Sequence, residues 1–187
     1  MISLPRHDLP ETLFCGVRVW HSPLALWAIE HVLAALKPAR IVELGSGYGG
    51  VTLQLGTWAS MNGAHVLSLD ITGSMSEELL ARLKTLPVCL EHRDIYADET
   101  VEFIRLMISD VEAGPVLLYC DGGNKMQEIL TFAPWLQAGA VLGCHDWITE
   151  VAPAIVEPFL AEHGYAHYVD PAALRVCNTL QQFWVKE

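Results

Sequence analysis

Several short apolar runs in this sequence end in a group that could do chemistry. Ile41-Val42 leads to Glu43, His65–Leu69 to Asp70, Val88–His92 to Arg93-Asp94, Val116–Cys120 to Asp121, and Gly139–Cys144 to His145-Asp146. Runs of this kind read as buried β-strands. In a parallel sheet, residues at the carboxyl ends of the strands project towards one rim, where ligands bind. Asp121 and Asp146, from strands expected to be neighbours, make with the neutral oxygen of Asn124 a hard donor set suited to Mg²⁺ or Ca²⁺. His145 could add a ligand or act as a general base, because a free imidazole titrates near operating pH. Lys125 could hold a substrate oxygen, or take a proton if its pKa were lowered. Each has a structural alternative: Asp121-Gly122 is a common turn pairing, His145 could be a hydrogen-bonded strand-end residue, and Lys125 a solvated first-turn lysine.

The stretch Arg40–Gly50 organises these groups. A β-type run ends in Glu43 and then turns through Gly45, Gly47, Gly49 and Gly50 before Val51–Leu55 resumes with helical character. Glycines in such a strand–turn–helix unit permit positive φ and leave no Cβ between backbone and ligand. Gly45, Gly47 and Gly50 satisfy G-x-G-x-x-G, which a nicotinamide-dependent oxidoreductase would also show. A carboxylate at Glu43 suits a ligand with hydroxyl or ammonium donors and is poorly placed beside a bare phosphate, which favours S-adenosylmethionine (SAM). Asp70, twenty residues past Gly50, can accept from the two hydroxyls of a ribose. Asp94 could accept from an adenine amino group, or pair with Arg93 at the surface.

The elements that must position these residues alternate. Ser22-Pro23 reads as a helix start, with Ser as N-cap and Pro at the first helical position. Ala25, Ala28, Ile29, Val32, Leu33 and Leu36 then form one apolar stripe that Pro38 ends. Further helices are predicted after the glycine turn, over Ser74–Leu86, over Asp98–Val111 and after Lys125. A last one, capped by Thr149 and running to about His163, carries Pro158, which predicts a kink or break. Tyr165–Val169 and Gln181–Val185 read as a closing pair of strands. The order implies an α/β, doubly wound, Rossmann-like fold: a mostly parallel seven-stranded sheet, helices on both faces and a C-terminal antiparallel strand. Residues 1–21 read as an N-terminal arm and residues 22–187 as one domain. Trp20, Trp27, Tyr48 and Trp147 are candidates for the wall of a substrate site, or plain packing.

Composition narrows the function. At 187 residues, with 52% hydrophobic and 18% charged residues, the chain is globular and large enough for a substantial core. Its formal net charge of −11 and dispersed Lys and Arg supply no basic stripe for phosphates, so a nucleic-acid partner is not expected. No apolar run approaches the ~18 residues that span a bilayer, and the N-terminus lacks a signal-peptide pattern, so no membrane partner is expected. Five scattered cysteines (Cys15, Cys89, Cys120, Cys144, Cys177) read as buried thiols in a reducing compartment, and a cytoplasmic location is expected.

The motifs also carry a resemblance. Glu43-x-Gly45-x-Gly47, Asp70 and Asp94 look like the first three motifs of class I SAM-dependent methyltransferases. Gly16-Val17-Arg18-Val19, Ser22–Trp27, Leu36-Lys37-Pro38, Ile41–Gly45, Cys120-Asp121, Glu128-Ile129-Leu130, Ala133-Pro134 and His145-Asp146 resemble the cephalosporin-hydroxylase-type branch. That branch has the methyltransferase fold and is similar to metal-dependent small-molecule O-methyltransferases. The resemblance spans roughly residues 16–147. It implies a methyl transfer from SAM to a small-molecule acceptor, at oxygen, with Mg²⁺ as a candidate second cofactor and room for a homo-oligomer. By position it implies a SAM site at Glu43, Gly45, Ser46, Gly47, Tyr48, Gly49, Asp70, Ile71 and Asp94, with Asp121 at the boundary between cofactor and metal. Asn124 stands near a position where the family often has His, and His145-Asp146 replaces a doubly acidic or Asp-Asn pair. The alternatives are a degenerate SAM-binding protein without turnover and a nicotinamide-dependent oxidoreductase.

Overall fold

The computed structural model describes residues 12–110, 112, 114–170, 174 and 180–187. Val111, Cys177 and the first eleven residues of the arm lie outside that set. Within the arm, Thr12–Phe14 (β1) and Val17–Val19 (β2) pair as an antiparallel hairpin that the sequence pattern does not announce. Its turn, Cys15-Gly16, has φ of +48° and +82°, the two positive values of a two-residue hairpin turn that follows strand twist.

Helix α1 (Pro23–Leu36) begins as predicted: Ser22 Oγ accepts from the Ala25 N–H at 3.1 Å. Strand β3 (Arg40–Leu44), α2 (Gly50–Asn62), β4 (His65–Asp70), α3 (Glu77–Leu83), β5 (Val88–His92), α4 (Asp98–Ser109), β6 (Val116–Cys120), α5 (Lys125–Phe132), β7 (Val141–Cys144), α6 (Pro153–Glu162), β8 (Tyr165–His167) and β9 (Gln182–Lys186) follow. The seven-stranded sheet has the order β5-β4-β3-β6-β7-β9-β8. The pairs among β5, β4, β3, β6 and β7 are parallel, and β9 runs antiparallel to both its neighbours. The chain leaves β3 for β4 on one side and returns to β6 on the other. That reversal opens a crevice at the carboxyl ends of β3 and β6.

Both faces are covered. Ile29, Val32 and Leu33 of α1 and Leu55 and Trp58 of α2 pack on Ile41, Val66, Leu117 and Val141. On the other face, Ile104 and Ile108 of α4, Ile129 and Phe132 of α5, and Val156 and Leu160 of α6 pack on Val42, Leu67, Leu118 and Leu142. Alternation along each strand assigns these faces.

Four local expectations are corrected. Helix α3 is shorter than predicted and is capped by Ser76, whose Oγ accepts from the Leu79 N–H. Thr149 caps no helix: its hydroxyl donates to the Asp146 carbonyl in a tight turn, and α6 starts at Pro153. That helix also runs through Pro158 unbroken, giving up one backbone hydrogen bond. Of the described cysteines, Cys120 and Cys144 are buried as expected, but Cys15 and Cys89 are exposed.

Candidate active site

The rim is an extension of the sheet. Beyond the strand ends, Arg93 N–H donates to the Asp70 carbonyl, Gly45 N–H to Leu69, Asp121 N–H to Leu44 and His145 N–H to Cys120. These bonds set Asp70, the glycine turn, Asp121 and His145 side by side in the order of β4, β3, β6 and β7.

The glycine turn touches its surroundings closely. Gly45 has φ +94°, and a Cβ there would stand 2.5 Å from the Asp121 carbonyl oxygen. Gly50 is fixed by the hairpin: a Cβ would strike Val19 and the Arg18 carbonyl. Gly47, with φ +50°, faces open space, and a Cβ there would meet nothing within 4 Å. Its N–H donates to Asp70 Oδ2 at 2.7 Å, while Asp70 Oδ1 accepts from Thr72 N–H and hydroxyl. Beside Asp70, Ile71 is 61% exposed, an apolar side chain left uncovered at the cleft. Asp94 is exposed and accepts from the Tyr96 N–H. Ser46 is buried, its hydroxyl against that of Ser68. Tyr48 is gripped by the arm, edge-on to Trp20 at 5.0 Å between centroids and under the Arg18 guanidinium.

Glu43 does not reach this cleft. It shares strand parity with Ile41, so its side chain enters the layer beneath α2 and is fully buried there. Its Oε2 accepts from the Thr52 hydroxyl at 2.7 Å and from the Ser68 hydroxyl, and its Oε1 has no partner. Burial outweighs those hydrogen bonds and pushes its pKa up to about 8. Glu43 therefore ties β3, β4 and α2 together as a neutral carboxylic acid.

The densest cluster lies at the ends of β6 and β7. Asp121 Oδ2 faces His21 Nε2 at 3.2 Å, and its Oδ1 faces His145 Nδ1 at 3.4 Å. The two imidazoles stack, centroids 3.9 Å apart and planes 29° apart. His145 Nδ1 also lies 3.5 Å from Asp146 Oδ2, which in turn meets Lys125 Nζ at 3.0 Å. Asp146 reaches this position through a left-handed backbone, φ +55°, unusual for a non-glycine residue and characteristic of functional turns. Burial raises the Asp121 and Asp146 pKa values, but His21 and His145 at Asp121, and His145 and Lys125 at Asp146, more than offset it and hold both well below the usual carboxylate range. Burial lowers the His145 pKa, yet the hydrogen bonds and charges of Asp121 and Asp146 prevail and push it up to about 9. For His21 burial prevails, so that ring is neutral.

Two predicted residues take other roles. Lys125 is buried against acids that raise its pKa despite desolvation, so it is a fixed cation and no proton acceptor. Asn124 turns its side-chain oxygen back to cap α5, accepting from Gln127 N–H at 3.2 Å, and joins no carboxylate cluster. The turn that leads from β6 into α5 is held by buried Glu128, which accepts from the N–H groups of Gly122 and Asn124.

Sequence reasoning missed His21, Glu150 and Tyr119. His21 Nε2 lies 3.1 Å from the Tyr119 hydroxyl, which accepts from Gln181 Nε2 at 2.7 Å. A tyrosine within an otherwise apolar strand was the available signal. Trp147 packs edge-on against Trp184 in the core, and Trp27 lies on the outer side of α1 against His31, so neither lines the cluster.

A mostly parallel sheet with one antiparallel strand, a glycine turn at its crossover and strand-end acids define a Rossmann-like, SAM-dependent methyltransferase fold. Residues 8–159 match the family described as rhamnosyl O-methyltransferase/CmcI, and the chain belongs to that family. Solved structures agree on the fold. A CmcI structure with S-adenosylhomocysteine (SAH) is 17% identical, with a TM-score of 0.67, covering 96% of this chain and 84% of that one. A CmcI structure with Mg and SAM is 17% identical, with a TM-score of 0.65, over 94% of this chain and 77% of that one. A candidate caffeoyl-CoA O-methyltransferase from Staphylococcus aureus is 14% identical, with a TM-score of 0.59, over 91% and 86%. No curated protein matches the chain by sequence. Among the described residues no helix is long and apolar enough to cross a membrane.

The Mg of that CmcI structure finds no matching donor arrangement at this site. Hard divalent cations take oxygen ligands at about 2.0–2.6 Å. Here both oxygens of Asp121 and Oδ2 of Asp146 already face a donor of the chain: His21, His145 or Lys125. His21, Asp121 and His145 do bring possible ligand atoms within 4.8 Å of one another. Imidazole lone pairs lie in the ring plane, however, and stacked planes 29° apart do not meet within a metal–nitrogen bond length. As arranged, the donors do not fit such an ion.

Proposed function

We propose that this protein transfers the methyl group of SAM to a hydroxyl of a small-molecule acceptor, with Asp70, Ile71 and the glycine turn holding the cofactor and His145 taking the proton. The observation that carries the reading is the continuous rim, in which ladder hydrogen bonds fix the cofactor turn directly beside Asp121 and His145. SAM supplies a methyl on a sulfonium, so the protein must align a nucleophile and exclude water.

Asp70 would accept from ribose hydroxyls, exposed Ile71 would cover the adenine, and Asp94 would accept from its amino group. The open space at Gly47 leaves room for a ligand against the backbone. His145 presents Nδ1 to the two carboxylates, which leaves Nε2 for the acceptor hydroxyl. The carboxylates orient the ring and stabilise the imidazolium formed on proton transfer. A small molecule is the acceptor favoured here, in keeping with the net charge of −11 and the lack of a basic stripe. The buried free thiols of Cys120 and Cys144 support a reducing, cytoplasmic setting.

Calorimetry with SAM, SAH and NADH tests the cofactor assignment. Micromolar binding of SAM and SAH, lost in Asp70→Ala, is expected, with no heat from NADH. Binding of NADH alone would overturn it.

A further inference from the structure

We infer that the Lys125 ammonium takes, within this chain, the place of a divalent cation beside the two strand-end carboxylates, so that methyl transfer here needs no metal. The inference rests on the methyltransferase reading and adds to it how the reaction centre is neutralised.

Lys125 is the first residue of α5, and its exposure is only 6%. A lysine ammonium has three N–H donors. Each finds an oxygen: the Gly122 carbonyl at 2.9 Å, Asp146 Oδ2 at 3.0 Å and Glu150 Oε2 at 3.0 Å. Those acceptors come from the turn after β6 and the turn after β7, the two segments that carry Asp121 and Asp146. The ammonium therefore bridges both turns, as a metal ion would. A surface lysine rarely keeps one geometry, since its long stem carries substantial rotamer entropy. Here burial and three short contacts fix it.

The rest of the cluster completes the charge balance. Asp146 shares Oδ2 between Lys125 and His145, and Asp121 divides its oxygens between His21 and His145. A Mg²⁺ ion bound to Asp121 and Asp146 would have to displace these donors and sit beside a buried ammonium. Two cations at such a distance repel strongly in a medium of low effective dielectric. The chain's own cation excludes the ion by charge as well as by occupancy.

The test uses the intact protein stripped with EDTA, with Mn²⁺ as a paramagnetic probe and SAM calorimetry as an independent check on the cofactor site. Wild type is expected to keep its methyl-transfer rate in EDTA and to show no Mn²⁺ site tighter than roughly millimolar, with or without SAM. Lys125→Met, which removes the charge but keeps an unbranched apolar stem, is expected to lose about a hundredfold or more in rate, as for removal of a transition-state electrostatic group. It should also bind Mn²⁺ at least about tenfold more tightly than wild type, the factor for ~1.4 kcal/mol of repulsion removed. A submillimolar Mn²⁺ site in wild type that disappears in Asp121→Asn would overturn the inference. So would loss of turnover in EDTA restored by Mg²⁺. Failure of SAM to bind would strike the methyltransferase reading instead, because the Mn²⁺ titrations read the cation site directly.

Discussion

His21, one residue before the cap of α1, lies stacked on His145, beyond the end of β7, with their ring centroids 3.9 Å apart. Asp121 lies between their nitrogens and engages both. The arm thus contributes a group to the reaction centre, as a neutral donor that orients the carboxylate paired with the proposed base.

His21→Ala should leave SAM affinity nearly unchanged and lower kcat. It removes a hydrogen bond to a charged group, a loss of about 1.5–3 kcal/mol in stability. Denaturant titration and single-turnover rates would check it. His21→Gln, which keeps a donor, should recover part of the rate; an unaltered kcat in His21→Ala would remove the arm from the reaction centre.

The rate should rise with pH. His145 accepts a proton only when neutral, and Asp121 and Asp146 outweigh burial to place its pKa at about 9. Charges facing it are Asp121, Asp146 and, behind Asp146, Lys125, with the neutral ring of His21 on its face. The rate profile should climb with a midpoint near that value, and Asp121→Asn should move the midpoint down. His145→Gln should cost about 10²–10⁴ in kcat. Stability runs the opposite way. With the folded pKa above the reference of 6.5, the contribution of charged His145 is complete below pH 6.5 and is lost as pH rises through about 9.

Glu43 adds a second loss of stability as pH rises, at lower pH. Burial carries its folded pKa from the reference 4.5 up to about 8. Its stabilising contribution is complete below pH 4.5 and is lost as pH rises through about 8. Glu43→Gln, uncharged throughout, should therefore melt with less dependence on pH, its advantage over wild type growing between pH 4.5 and about 8 and levelling off above that. Melting curves at several pH values decide it, and a parallel decline in both proteins would contradict a neutral Glu43.

Gly45→Ala should destabilise by more than the ~1–2 kcal/mol cost of a left-handed non-glycine residue, because the added methyl also meets the Asp121 carbonyl. Gly123→Ala, where a Cβ meets nothing within 4 Å and φ is not positive, serves as the neutral control. Equal melting temperatures for the two variants would show that the turn can yield.

Much of this arrangement could be read in the sequence. Strand-like runs ending in Asp70, Asp121 and His145-Asp146, alternating with helical stripes, are enough to order the sheet and to put those residues on one rim. Strand parity could have placed Glu43 beneath α2, since Ile41 faces the same side, but motif position pointed to the cleft. His21 was not legible because its partners, Tyr119, Asp121 and His145, are joined to it only by tertiary packing. Asn124 misled because the same side chain that can ligate a metal can cap a helix, and the start of α5 claimed it. Lys125 misled in the other direction: the charges of Asp121 and Asp146, with the hydrogen bond to Glu150, raise its pKa against desolvation, and that enclosure comes from tertiary packing that no periodicity announces.

Strand β9 is made after every other strand, yet it lies between β7 and β8. Without β9 the outer edge of β7 has no strand to pair with. Gln181, which immediately precedes β9, donates to the Tyr119 hydroxyl that contacts His21. The position of the Tyr119 hydroxyl beside His21 therefore depends on the segment that leads into β9, which couples the docking of that strand to the order of the His21–Asp121–His145 cluster.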